Sequence, residues 1–271
     1  MLHVSSHGPI TRVRMARTLF GRPLHEVSAY HLGDLLIDAG PPPVAPELVA
    51  WCRGRRIAKV VLTHHHEDHS GGAAALHQEL GLPVFAPVGA VAILAEGLRM
   101  PLYRKAVWGT PPRFRAEPLG PVVEGEGFRL RVVPTPGHAF SHVCLFDEER
   151  RWLFSGDLYV HERVRYLRRV EDAWEHIESL HRVLALEPDL LICSHAGILE
   201  NAQERLARKI RWWEDLAAEA RALQEQGLSV TEITHRLLGR DGLLAWASLG
   251  DFSQRNLIRS LLALRSEVKA Q

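Results

Sequence analysis

Residues 63–72 read Thr-His-His-His-Glu-Asp-His-Ser-Gly-Gly, and His64, His66, Asp68 and His69 place four potential ligands within six positions. The stretch follows an apolar run, Lys59-Val60-Val61-Leu62, and precedes Ala73-Ala74-Ala75-Leu76, which starts a helix-like pattern. A loop between the carboxyl end of a strand and a helix is where α/β sheets carry their chemistry. Alternate side chains of an extended segment share a face, so His64 and His66 can grip one ion together. Asp68 and His69 lie past the bend, point elsewhere, and could hold a second ion. Nitrogen and carboxylate donors suit zinc, iron or manganese better than calcium.

Upstream, residues 25–30 and 34–37 read as strands around a turn at Leu32-Gly33, followed by Asp38 and a helix over 46–53. Downstream the pattern predicts a helix over 71–80, a strand at 83–86 and a helix over 88–96. Residues 97–121 show little periodicity and are rich in Pro, Gly, Arg and aromatics, which suggests a substrate-side flap carrying Tyr103 and Trp108. Strands are expected at 128–133, 143–146 and 152–154, the last two as a hairpin, then a helix over 171–186 and a strand at 190–193. From 201 onward only helices are readable: 201–226, 230–238 and 253–264. Ser229 and Glu232 stand at capping-box spacing for the middle one. The shift from mixed α/β to helix divides the chain into residues 1–200 and residues 201–271.

Three later pieces repeat the grammar of the first loop. Thr135-Pro136-Gly137-His138, Ser155-Gly156-Asp157 and Ser194-His195 each follow an expected strand. If those strands are neighbours, His138, Asp157 and His195 converge with the first loop at one rim. Other catalytic signatures are missing, including His-Glu-x-x-His, Gly-x-Ser-x-Gly and the Walker loop.

Taken in order, Thr-His-x-His-x-Asp-His, Thr-Pro-Gly-His, Ser-Gly-Asp and Ser-His resemble the motif set of the metallo-β-lactamase superfamily, and Asp38 resembles its first motif. The resemblance covers about residues 10–200 and implies an α/β fold, a four-layer αβ/βα sandwich with a two-metal site on one edge. The tail would be a small all-α, winged-helix-like domain. By that resemblance His64, His66 and His138 hold the first ion, Asp68, His69 and His195 the second, and Asp157 bridges them. Asp38 and His142 are expected to orient ligands. The implied cofactors are two divalent ions, Zn2+ first, with Fe or Mn as alternatives, sharing a hydroxide that attacks an acyl carbon or phosphorus. Asp68 and Asp157 are the catalytic carboxylates of this reading.

One fold hosts many reactions, so the substrate needs separate argument. A carboxylate at 157 resembles thioesterases, lactonases and nucleases of the superfamily and argues against β-lactam hydrolysis. His66 argues against the flavodiiron oxygen reductases. A glyoxalase II-like ester or thioester hydrolase is therefore placed ahead of a β-lactamase-like 2 type endoribonuclease. A metal-sensing, nucleic-acid-binding regulator is carried as the non-enzyme class. Arg163, Arg165, Arg168 and Arg169, with Tyr166 and His161, follow Asp157 and could face an anionic substrate. Yet the formal net charge of the 271 residues is only +1, which gives no overall pull toward nucleic acid. The expected partner is thus a small molecule, with RNA as the alternative. No membrane span is readable, a homodimer is compatible, and a cytoplasmic protein is the default. Three scattered cysteines, at 52, 144 and 193, form no disulfide framework.

Overall fold

Central strands whose side chains alternate between two cores organise the computed structural model, which describes residues 1–19 and 21–263. Along residues 59–62, Val60 and Leu62 face one core while Val61 faces another. Only a strand covered on both faces behaves so.

One sheet has seven strands arranged in chain order. They are β1 (Leu2–His7), β2 (Ile10–Leu19), β3 (Arg22–Leu32), β4 (Leu35–Ile37), β5 (Lys59–Val61), β6 (Val84–Ala86) and β7 (Glu117–Pro118). The first four are antiparallel neighbours, and β4 to β7 run parallel. The second sheet takes β8 (Val122–Gly125), β9 (Phe128–Pro134), β10 (Val143–Asp147) and β11 (Trp152–Gly156). After β12 (Leu167–Arg168), which pairs elsewhere, come β13 (Leu190–Cys193) and β14 (Gly197–Glu200), in the spatial order 14-13-11-10-9-8.

Helices α1 (Ala45–Cys52), α2 (Glu67–Ser70), α3 (Ala73–Leu80), α4 (Val88–Glu96) and α5 (Leu102–Trp108) come from the first half. Leu48, Leu76, Ala90 and Leu94 from α1, α3 and α4 cover the outer face of the first sheet. Leu35, Ile37 and Val61 meet Leu145, Phe154 and Ile192 between the sheets. The outer face of the second sheet, with Cys144, Phe146, Leu153 and Leu191, is covered by α6 (Ala173–Leu184) and α7 (Ala202–Glu225) through Leu180, Val183, Leu206 and Ile210. The result is the four-layer αβ/βα sandwich that the motifs imply.

A fourth core lies beyond it. Helices α8 (Val230–Leu237), α9 (Leu243–Ala247) and α10 (Gln254–Leu262) complete the chain, and Ile233, Leu257 and Ile258 join Ile177 of α6 and Trp213 of α7. Ser229 and Glu232 form the expected reciprocal cap on α8. Trp213 is fully buried, donates its indole N–H to the Val164 carbonyl at 3.0 Å and meets His176 edge to face at 4.8 Å.

Several expectations need correction. Residues 97–121 are not a bare loop, because α5 and β7 lie within them. Tyr103, Val107 and Trp108 of α5 line a cavity, while Phe114 and Ala116 join the first core, and this division leaves no single period to read. The helix expected over 71–80 starts at Ala73, with the separate turn of α2 before it. The helix expected over 171–186 starts at Ala173, because the Asp172 carboxylate accepts from the Trp174 and Glu175 amides and caps it there. The C-terminal segment is not purely helical either: β15 (Phe252–Ser253) pairs with β12, and α9 precedes it. The helix expected over 253–264 is α10, with residue 264 outside the described residues.

Because Trp213 joins α7 to both α6 and the loop after Asp157, Trp213→Ala should cost ~3–5 kcal/mol. Urea unfolding checks this, and a loss under ~1 kcal/mol would contradict the packing described.

Candidate metal centre

Every candidate ligand follows the carboxyl end of a strand. His64, His66, Asp68 and His69 come after β5, His138 after β9, Asp157 after β11 and His195 after β13. β11 and β13 are parallel, and β9 and β11 are both antiparallel to β10, so these ends share one edge. Two glycines let the chain turn there. A Cβ on Gly137 (φ 126°) would lie 2.4 Å from the His176 nitrogen, and one on Gly156 (φ 47°) 2.6 Å from His142 Nε2.

Two donor clusters result, His64, His66 and His138 in one, and Asp68, His69, Asp157 and His195 in the other. In the first, His66 Nδ1 stands 2.8 Å from His64 Nε2 and 3.0 Å from His138 Nε2. In the second, Asp157 Oδ1 lies 3.2 Å from His69 Nε2 and 3.4 Å from His195 Nε2, while Asp68 Oδ2 lies 3.4 Å from His195 Nε2. The other oxygen of Asp157, Oδ2, faces His138 Nε2 of the first cluster at 3.4 Å. One carboxylate therefore reaches both groups.

The residues fit metal ions on their own evidence. His69 Nε2 and Asp157 Oδ1 are buried and, though 3.2 Å apart, make no hydrogen bond of proper geometry. Orphaned polar atoms of that kind are costly unless something absent from the chain satisfies them. Nitrogens that each reach a cation at about 2.0–2.1 Å stand roughly 3 Å apart, which is the spacing within the first cluster.

Behind each imidazole a second group fixes the ring. Asp38 Oδ2 lies 2.7 Å from His69 Nδ1, and Asp38 also accepts from the Thr63 amide at 2.8 Å. Thr63 Oγ1 lies 3.0 Å from His64 Nδ1. Glu171 Oε1 backs His138 Nδ1 at 3.0 Å, and the Glu26 carbonyl accepts from His195 Nδ1 at 2.7 Å. His142 donates from Nδ1 to Thr135 Oγ1 at 2.8 Å and accepts at Nε2 from the Asp157 amide at 3.0 Å. It stays neutral, with its pKa lowered to about 3 by burial and by His138.

The two clusters differ in charge. Burial, with His69 beside one and Arg168 beside the other, holds His64 and His66 well below the ordinary imidazole value, so both are neutral donors near pH 7. Burial would also lower His69 and His195, but Asp157 above all, with Asp68, raises both well above it. Burial would raise Asp68, yet His69 and His195 bring it down to about 2. A cation entering the second cluster must displace protons from His69 and His195, whereas His64 and His66 already offer neutral nitrogens.

The wider surroundings are mixed. A cavity of about 290 Å³ opens on the clusters, with Tyr103, Trp108 and Tyr166 among its lining. His161, Arg163, Arg165 and Arg169, expected toward substrate, are not among its lining residues. Arg165 donates to the Leu238 carbonyl, and His161 Nδ1 accepts from the Arg163 amide at 3.1 Å, which turns this side of the loop outward. Arg168 is the buried one: its guanidinium lies 2.8 Å from Glu171 and 3.0 Å from His66 Nε2. Glu171, Thr63 and Lys209 were not singled out from sequence. Lys209, wholly buried on α7, donates to the Leu158 and Tyr159 carbonyls at 2.9 and 2.5 Å, just past Asp157.

The superfamily model for metallo-beta-lactamases matches residues 30–195. The chain belongs to the metallo-β-lactamase superfamily. Among its relatives is an atrochrysone carboxyl ACP thioesterase of Aspergillus fumigatus, 31% identical over 73% of this chain and 60% of the relative. A hydroxyacylglutathione hydrolase of Rhodopseudomonas palustris is 31% identical over 76% of this chain and 72% of the relative. A beta-lactamase domain protein from Burkholderia ambifaria shares the fold at a TM-score of 0.70 and 21% identity, over 96% of this chain and 88% of that one. The chain spans only 58–60% of the length of several curated relatives. No helix among the described residues of this superfamily member is long and apolar enough to cross a membrane.

Two outcomes test the centre. After equilibration with zinc and desalting, the wild type should carry about two ions per chain and His195→Ala about one; equal content in both would contradict the split into clusters. Lys209 tests the second link. Burial lowers its pKa from 10.5 to about 7. Between those values the unfolded chain holds the extra proton, so the wild type should gain stability over Lys209→Met as pH rises, by about 1.4 kcal/mol per unit. Below about pH 7 both states are protonated and the difference should flatten. Parallel pH profiles from urea unfolding would refute the assignment.

Proposed function

We propose that this chain is a metal-dependent hydrolase of a small-molecule ester or thioester. The observation that carries the reading is Asp157, whose two oxygens face separate clusters of ligating nitrogens. Two divalent ions, Zn2+ first and Fe or Mn as alternatives, would supply Lewis-acid charge and a water acidified toward neutrality. His64, His66 and His138 would hold one, Asp68, His69 and His195 the other, with Asp157 shared.

The chain's own residues do the positioning. Asp38, Thr63, Glu171 and the Glu26 carbonyl fix four rings from behind, leaving the opposite nitrogen of each free to bind. His142 holds the Asp157 amide. Asp68 Oδ2 lies 3.4 Å from His195 Nε2 in the second cluster, and its part is to bind the cation. No serine or cysteine nucleophile is required.

Support for ester over phosphodiester cleavage comes from the relatives' names and from the cavity's cations. Arg104 lies 2.7 Å from Glu67, and Arg168 is paired with Glu171, so each already has a carboxylate partner. A polyanion would have to compete for them.

A panel of thioesters, lactones, phosphodiesters and single-stranded RNA tests the reading. Thioester or lactone turnover should fall at least ~100-fold in Asp157→Ala and His66→Ala. Equal turnover by the wild type and His66→Ala would overturn the mechanism. Cleavage of RNA alone would overturn the substrate class and leave the centre intact.

A further inference from the structure

The cavity that opens on the metal donors also carries a set of apolar lining side chains, its apolar lobe. Val107 and Trp108 of α5, Val160 and Val164 from the loop after Asp157, and Leu244 and Phe252 from the C-terminal segment line it. Its walls are braced. Tyr166 stacks on Phe252 with ring centroids 5.6 Å apart and planes within 15°. Gln254 donates to the Tyr166 hydroxyl at 3.2 Å, and β12 pairs with β15. Across the mouth, the Tyr103 hydroxyl donates to Asp251 at 2.8 Å, tying α5 to the turn after α9. The C-terminal segment thus furnishes one wall of the site.

Charge decides what such a lobe can take. Arg104 and Arg168 are engaged by Glu67 and Glu171, and Lys209 spends its N–H groups on two carbonyls. An anionic substituent would lose water here without gaining a counter-ion, at considerable cost. An uncharged apolar one would gain at each methylene. Size points the same way: the whole cavity, metal donors included, holds about 290 Å³, at the low end of the about 300–1,000 Å³ typical of small-molecule sites, which leaves room for one half of a substrate. The thiol carriers of biological thioesters are long and polar, which suits the open mouth rather than a lobe lined by Val, Leu and Phe.

We infer that this lobe seats the uncharged, apolar acyl chain of the substrate, with Leu244 and Phe252 of the C-terminal segment setting acyl length. The inference rests on the hydrolase reading, and two measurements separate them. With zinc-loaded enzyme, kcat/KM for N-acetylcysteamine thioesters should rise about fourfold per methylene from acetyl to hexanoyl, then level off. Leu244→Ser and Phe252→Ala should each lower hexanoyl turnover about tenfold more than acetyl turnover. Independently of turnover, calorimetry should show 2-octanone binding the wild type at least about tenfold tighter than 2-butanone, and Leu244→Ser should erase that preference. Turnover that is flat along the acyl series, or that rises only when the thiol is lengthened, would overturn the acyl lobe and spare the hydrolase. If neither thioesters nor lactones are cleaved, the hydrolase reading fails and the ketone series alone decides the lobe: equal binding of both ketones overturns it.

Discussion

Seven histidine and aspartate side chains crowd onto one sheet edge, five of them buried, and their donor atoms face one another. Left alone, such a group must either trade protons internally or leave lone pairs unanswered, and both happen here. The second cluster draws protons onto His69 and His195, while His69 Nε2 and Asp157 Oδ1 still lack a hydrogen bond of proper geometry. Shared cations would relieve both at once, which is why the rest of the structure is best understood as a frame holding this arrangement open.

That frame works through groups one step behind the ligands. Asp38, buried at the end of β4 with φ 62°, serves Thr63 and His69 together, so one carboxylate sets the angle of the first loop. Glu171 does the corresponding task for His138 and also neutralises Arg168. Lys209 reaches in from α7 to hold the backbone after Asp157, so the helices beyond residue 200 are mechanically part of the centre. The pairing of β12 with β15 makes the same connection at the cavity wall.

The ligand loops were legible in sequence because each one is local: a strand, a turn, then His or Asp. Strand ends also predict a common edge once the strands are taken as neighbours, so the clustering itself could be read. What could not be read depends on distant contacts. Glu171 looks like one acid among many until Asp172 caps α6 and leaves it facing His138. Arg163, Arg165 and Arg168 are indistinguishable in sequence, and only the pairing of β12 decides that Arg168 turns inward while Arg165 meets Leu238. β1 escaped because five of its six residues are exposed, so no apolar alternation marks it. α5 escaped for a related reason: none of its residues is fully buried.

Anomalous scattering from crystals equilibrated with zinc is the most direct measurement of the central claim. Two peaks are predicted, one enclosed by His64, His66 and His138 and the other by Asp68, His69 and His195, with Asp157 touching both. A single peak, or peaks that leave Asp157 uncoordinated, would contradict it.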